Sequence, residues 1–326
     1  MKNIEIIKEL GFESLQQYNF PSIVNVCAIR GVCPCRCAHC PVGIVPPVER
    51  YARFGKSVIS LQLFKKIIQE MSAFSYSSLR IHGVGEPLLW EGLSHALKYA
   101  SDLRVRTWLF TCLITEDTKL LEALVKNCNI IEISINSYER DNYIRTKGVD
   151  AFLLVKRNIE FLNSLVKSNN LSVRIIVSRV ESEDKSYDAD FVEYWKSSKL
   201  VDDAFIRKYH DYNALLSNKF NRKRQEIIPC LVHWNRFNID CNGKVILCFN
   251  EFFKGKHQDK SLVIGNINKQ TINEIWHSEK INFVRKAQLK KDYSIVKFTD
   301  KLPCVNCFSC QPLRGENPTS ENQINK

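Results

Sequence analysis

The sequence predicts an α/β fold in which a parallel sheet with crossover helices precedes a smaller, cysteine-rich unit. Two observations predict it. From Ser22 to about Arg207, strand-like and helix-like segments alternate six times, the pattern of parallel strands joined by helices. After Arg207 the alternation stops, and cysteines and turn residues take over. The 326 residues are 44% apolar and 25% charged, enough for one large domain or two smaller ones and too apolar for intrinsic disorder.

The elements follow in order. Ile23 to Ile29 (IVNVCAI) is a short β-branched run and the first strand. Leu61 to Ala73 has helical spacing, with Leu61, Phe64, Ile67, Ile68 and Met71 on one face and Ser60 placed to cap it. Leu79 to His82 is a strand, Glu91 to Ala100 a helix, and Val105 to Thr111 an alternating strand. Asp117 to Asn127 reads as a helix, Ile130 to Ile135 as a buried strand, and Ala151 to Lys167 as a long amphipathic helix. Leu171 to Ser178, Asp188 to Ser197 and Asp203 to Arg207 complete the series as strand, helix and strand. Crossovers of this kind are right-handed, which leaves an open doubly wound sheet or a barrel. In either, the active site lies at the C-terminal ends of the strands. In the second unit, Asn242-Gly243 between two apolar runs is a hairpin signal. Thr271 to Lys290 reads as one helix opened by a Thr271/Glu274 capping box. Gln311 to Lys326, rich in Pro, Asn, Ser and Gln, reads as a disordered tail.

Lys plus Arg exceed Asp plus Glu by 47 − 35 = 12, a balance that favours an anionic substrate or partner. No recognisable nucleic-acid motif accompanies it. The N-terminus MKNIEIIKEL is too mixed in charge for a signal peptide, and no run approaches the ~18 apolar residues that a membrane span needs. A cytoplasmic protein is the resulting expectation. There, thirteen cysteines point to metal binding or catalysis rather than to disulfides. Most fall in two regions, Cys27 to Cys40 and Cys230 to Cys310, while Cys112, Cys128 and Cys241 read as small buried hydrophobes.

The first region runs Cys33-Pro-Cys35-Arg-Cys37-Ala-His39-Cys40 just after the first strand. Cys33, Cys37 and Cys40 have the spacing C-x3-C-x2-C, which lets three thiolates converge on one soft metal centre. Three ligands leave one iron of a four-iron cube open for chemistry. A structural zinc site completed by Cys35 or His39 is the alternative that spacing alone leaves standing. The triad resembles the signature of the radical S-adenosylmethionine (SAM) superfamily, with His39 where that family often has an aromatic residue. His82-Gly83-Val84-Gly85-Glu86-Pro87 resembles its GGEP segment, with Val84 replacing the first glycine. Ser134 and Arg145, the latter in the loop after the fourth strand, match residues that bind the SAM carboxylate in related enzymes. Thr111-Cys112-Leu113 stands where many relatives have Thr-Asn-Gly.

The second region, Cys230, Gly243 and Cys248 followed by Cys304-Val-Asn-Cys307 and Cys310, resembles the SPASM extension of many radical SAM enzymes. Cys230, Cys248, Cys304 and Cys307 would close an auxiliary [4Fe–4S] cluster, with Cys310 as an alternative fourth ligand and Cys241 a weaker one. Zinc is again the alternative from spacing.

The resemblance implies a partial (β/α)6 TIM-like barrel followed by a small cysteine-rich α+β SPASM-like domain. The expected division is an N-terminal extension at 1–21, a radical SAM core at 22–215, the auxiliary domain at 216–310 and a tail at 311–326. A [4Fe–4S] cluster on Cys33, Cys37 and Cys40 would bind exchangeable SAM, with Gly85, Glu86, Ser134 and Arg145 as contacts. A flavodoxin or ferredoxin would supply the electron. Reductive cleavage of SAM then gives a 5′-deoxyadenosyl radical that abstracts a substrate hydrogen atom. The outcome is oxidation, with the auxiliary cluster as electron acceptor, or epimerisation, with Cys112, Cys241 or Cys310 returning the hydrogen. SPASM-type relatives act on peptides, protein side chains and sugars. Only about twenty residues precede the first strand, which leaves no room for a leader-binding domain and tilts the expectation toward a sugar-type small molecule. The basic stretch Lys219 to Arg224 would suit a phosphate-bearing substrate or serve as a solvated face. Two other classes remain open from the residues: a zinc-stabilised non-catalytic binding module, and an electron carrier with both clusters closed.

Overall fold

The computed structural model describes residues 19–217, 219, 220, 227, 229–300 and 302–308. The expected tail, Cys310 and residues 221–224 of the basic stretch lie outside them.

Six parallel strands form the frame. In chain order the elements are β1 (Ile23–Arg30), α1 (Pro47–Phe54), β2 (Ser57–Val58), α2 (Leu61–Met71), β3 (Ser78–Val84), α3 (Leu93–Asp102), β4 (Arg106–Thr111), α4 (Thr118–Asn127), β5 (Ile130–Ser134), α5 (Arg140–Lys147), α6 (Phe152–Ser168), β6 (Arg174–Val180), α7 (Lys185–Ser197) and β7 (Asp203–Arg207). Then come α8 (Leu231–Trp234), β8 (Arg236–Ile239), β9 (Lys244–Ile246), β10 (Val263–Asn266), α9 (Ile272–Trp276) and α10 (Glu279–Leu289), with a 3₁₀ segment at Phe249–His257. The sheet order is β10-β9-β8-β1-β3-β4-β5-β6-β7, with β2 paired antiparallel to β1. β1 and the strands from β3 to β7 are mutually parallel, as the alternation requires.

Why these residues form these elements is visible in their burial. On one face of the sheet Val24, Val26, Leu79, Ile81, Leu109, Ile131, Ile133 and Val177 pack in a single core with Phe64, Ile67, Leu97, Leu124, Ile159 and Phe191 of the crossover helices. Burying a side chain of this size contributes about 1.5–3 kcal/mol. Ser60 caps α2 by accepting from Leu63 N, and Asp117 caps α4 by accepting from Leu120 N.

The opposite face is polar and aromatic. Asn25, Arg80, Trp108, Glu132, Ser178 and Arg207 lie on it by register. Asn25 Nδ2 donates to Asn238 Oδ1 at 2.8 Å, and Ser178 Oγ to Glu132 Oε1 at 2.6 Å. The Arg80 guanidinium lies 4.6 Å from the Trp108 ring centre, and that of Arg207 lies 5.1 Å from Phe110 and from Phe205.

Two local expectations are corrected. Residues 140–147, read as loop, form α5 and place Arg145 on a helix. The single helix expected over Thr271–Lys290 is two, α9 and α10, separated at His277 and Ser278; the Thr271/Glu274 capping box opens the first. The second unit extends the same sheet. β8 pairs with β1 in parallel, Ile23 against Arg236 through Val26 against Ile239, and the β8–β9 hairpin carries the sheet onward. Gly243 turns that hairpin at φ +82°, a conformation that favours glycine.

Candidate iron–sulfur centres

Four strand ends build the first site. The loop after β1 carries Cys33, Cys35, Cys37 and Cys40. Gly85 and Glu86 follow β3, Thr111 and Cys112 close β4, and Ser134 closes β5. Cys35, Cys37 and Cys112 are buried together, with Cys33 and Cys40 packed against them. Cys35 therefore packs with Cys112, Cys33 and Cys37. Cys112, expected as a small buried hydrophobe or as a candidate hydrogen donor, packs with the loop thiols, a placement that its distance in sequence concealed.

The loop is held by an arginine that no sequence motif singles out. Arg50 of α1 is 2% exposed. It donates to Cys33 O at 2.7 Å, Cys35 O at 2.9 Å, Val45 O at 3.0 Å and Gly43 O at 3.3 Å. A second brace comes from the end of α5: Arg36 N donates to Lys147 O at 2.7 Å and Ala38 N to Thr146 O at 3.3 Å. Gly148 makes this approach possible. Its φ is +67°, and a Cβ there would meet Arg36 Cβ at 2.6 Å.

Glu86 is buried and fully engaged. Its Oε1 accepts from Thr111 Oγ1 at 2.6 Å and Leu88 N at 3.1 Å, and its Oε2 from Cys112 N at 2.7 Å. It ties the ends of β3 and β4 together. Gly85 lies where a Cβ would meet Val32 O at 2.5 Å, so its main chain approaches the cysteine loop closely. Ser134 Oγ accepts from Asn136 Nδ2 at 2.9 Å. Arg145 is exposed. The cation turned toward the thiols is Lys147, two residues on and 2% exposed.

Contact with Cys35, then burial, pushes the Cys37 thiol up to about 11, and burial pushes Cys40 up to about 11. Contact with Cys112 lowers Cys35 despite an opposing effect from Cys33. Lys147 acts downward on Cys35, Cys37 and Cys40. Burial alone would depress Lys147 itself, but the facing Cys37, Cys35 and Cys112 outweigh that and hold it well above an ordinary lysine. A set of buried thiols beside a buried cation suits a thiolate-bound group.

The second site lies beyond the hairpin. Cys230 and Cys248 are buried together. Burial first, then Cys307 and Cys230, raises Cys248; burial, then Cys248, Cys230 and Cys307, raises Cys304. The four cysteines expected as ligands thus come within electrostatic reach of one another. His233, also buried, lies 3.9 Å from Cys304 Sγ through Nε2, and its Nδ1 lies 2.8 Å from Gln288 Nε2. Burial and Arg285 push its imidazole down to about 3, which keeps the ring neutral. His233 was not singled out from sequence, because a lone histidine carries no spacing signal. Cys241 belongs to neither set and contacts Cys27. At neither centre do three described His, Cys, Asp or Glu side chains form a cage for a single metal ion.

Residues 230–311 match SPASM, an iron–sulfur cluster-binding domain. Among solved structures, the chain is similar to Streptococcus suis SuiB bound to precursor peptide SuiA, at a TM-score of 0.64 and 13% identity over 100% of this chain and 76% of that one. SuiB bound to S-adenosylmethionine aligns at 0.62 and 14% identity, over 100% and 78%. Native anSMEcpe with bound AdoMet and Cp18Cys peptide aligns at 0.58 and 14% identity, over 89% of each chain. Comparison with curated protein sequences finds no match. Among the described residues no helix is long and apolar enough to cross a membrane. Residues 230–311 thus match a SPASM iron–sulfur cluster-binding domain, and the chain as a whole shares the fold of SuiB and anSMEcpe.

Proposed function

We propose that this protein is a cytoplasmic radical SAM enzyme that oxidises or epimerises a sugar-type small molecule. Cys33, Cys37 and Cys40 would hold the primary [4Fe–4S] cluster, and Gly85, Glu86, Ser134 and Arg145 would surround SAM. Cys230, Cys248, Cys304 and Cys307 would hold the auxiliary cluster, with Cys310 as the alternative fourth ligand. The observation that carries this reading is the packing of the Cys33–Cys40 thiols, on the loop after β1, against Cys112 after β4, at the C-terminal ends of parallel strands. When bound there, the cluster and SAM supply a 5′-deoxyadenosyl radical able to take a hydrogen atom from an unactivated C–H bond.

The chain's own residues prepare that event. Arg50 and the end of α5 fix the cysteine loop. Glu86 fixes the strand ends on which SAM would lie, and Gly85 keeps their main chain clear of side-chain bulk. Asn25 bonded to Asn238, and Ser178 and Arg207 bonded to Glu132, make the lining of that face polar, which favours a hydroxylated, polar substrate over an apolar one. Reduction would come from a small electron carrier such as flavodoxin or ferredoxin. The core would span 22–215 and the auxiliary domain 216–310.

A second reading, modification of a peptide or protein side chain, is favoured by the peptides bound in SuiB and anSMEcpe. The test is iron and acid-labile sulfide per chain after anaerobic reconstitution, followed by 5′-deoxyadenosine production with dithionite and SAM. About eight irons with 5′-deoxyadenosine formed, and about four irons with none in a Cys33/Cys37/Cys40→Ala triple variant, support the proposal. Zinc in place of iron overturns it.

A further inference from the structure

We propose that Lys147 is the buried counter-charge of the primary thiolates and raises the reduction potential of the cluster they hold. The inference rests on the reading above for the identity of that cluster. Its own basis is a buried cation on the segment that braces the cysteine loop. Lys147 is the last residue of α5, and its main chain is bonded to the loop between Cys35 and Cys37. The side chain turns inward. Its Nζ donates to Ser134 O at 2.6 Å, which leaves two of its three N–H donors for other acceptors. No carboxylate pairs with it among the described residues. A fully buried ammonium is rare without an anionic partner. The thiols of Cys35 and Cys37 stand on the loop that its main chain braces, with Cys112 packed against them.

One helical turn earlier, Tyr143 presents a second donor to the same place. Residues i and i+4 share a helix face, and Tyr143 is fully buried. Its hydroxyl has no hydrogen-bond partner among the described residues. A buried hydroxyl without an acceptor costs about 1–3 kcal/mol, a cost that a cluster sulfur or thiolate would relieve.

The direction of the effect follows from charge. Reduction adds one electron to the thiolate-bound group. A fixed positive charge stabilises the more negative state and so raises the midpoint potential. Lys147 is therefore a positioning and tuning residue that acts through the cluster rather than on substrate.

The experiment compares wild type, Lys147→Met, Lys147→Arg and Tyr143→Phe. Each is reconstituted anaerobically, its iron is counted, and its primary cluster is titrated with dithionite under electron paramagnetic resonance. Lys147→Met is expected to lower the ratio of reduced to oxidised primary cluster at fixed potential at least tenfold, which is about 59 mV for one electron. Lys147→Arg should restore most of the shift, Tyr143→Phe should move it less in the same direction, and the auxiliary cluster should not move. An unchanged midpoint in fully loaded Lys147→Met overturns the proposal. So does an unchanged midpoint with weakened SAM binding, which would assign Lys147 to the co-substrate.

Should Lys147→Met fail to load iron, alkylation of the apoprotein thiols by iodoacetamide decides. Slower alkylation in Lys147→Met, by fivefold or more and restored in Lys147→Arg, supports the counter-charge, and equal rates overturn it. Failure of wild type to load iron on Cys33, Cys37 and Cys40 would instead sink the enzyme reading, while the alkylation comparison would still judge Lys147.

Discussion

The Arg50 guanidinium lies 2.7 Å from the carbonyl oxygen of Cys33, seventeen residues earlier in the chain. The same group reaches three further loop carbonyls, so one planar side chain sets the path of the entire cysteine loop. Lysine cannot copy this, because its single nitrogen lacks the fork.

Arg50→Met should therefore strand several buried carbonyls. At about 1–3 kcal/mol for each unsatisfied group, the loop is expected to lose its conformation while the sheet survives. Iron analysis and circular dichroism together check this: primary-site iron falls, secondary structure is kept, and Arg50→Lys recovers little.

Glu86 links the ends of β3 and β4 through Thr111 Oγ1 and Cys112 N. In Glu86→Gln one acceptor oxygen becomes an NH2 facing a donor. SAM affinity is expected to fall about tenfold, or 1.4 kcal/mol, with the iron content unchanged. Equilibrium dialysis with SAM measures it.

Gly148 stands at φ +67° against Arg36. Gly148→Ala adds a left-handed strain of roughly 1–2 kcal/mol and a clash with the cysteine loop. The thermal midpoint should drop by several degrees, and cluster loading should slow. A variant as stable and as quickly loaded as wild type would show that this approach does not matter.

Cys248 is buried among the second set of thiols. Cys248→Ala should remove about four of about eight irons and leave the primary spectrum intact. Loss of both clusters together would show that the two centres assemble as one.

Much of this architecture was legible in the residues. The strands from Ile23 to Arg207 announced themselves because β-branched runs alternate with helices whose buried positions recur every three or four residues. What escaped notice had weak periodicity. α1 buries only Arg50 and Phe54, and α5 only Tyr143 and Lys147, so neither shows an apolar stripe. The cysteine spacing marked the first loop, but the residues that brace it, Arg50 and Lys147, are charged side chains buried by tertiary contacts that no local pattern reports. The break between α9 and α10 escaped because its flanks both read as helix. Arg145 stood out by motif register, yet it is Lys147 on the same helix that turns toward the thiols.

The pairing of β1 with β8 sets an order of events during synthesis. Asn25 waits for Asn238, a partner 213 positions later. Until the ribosome has released that segment, the first strand keeps one open edge, and such edges invite mispairing. Contacts this distant also slow folding, because loop closure precedes any return from the pairing. The cysteine loop springs from that same strand. Its final seating, and the insertion of metal into it, therefore belong to the end of biogenesis, after the C-terminal third of the polypeptide has emerged.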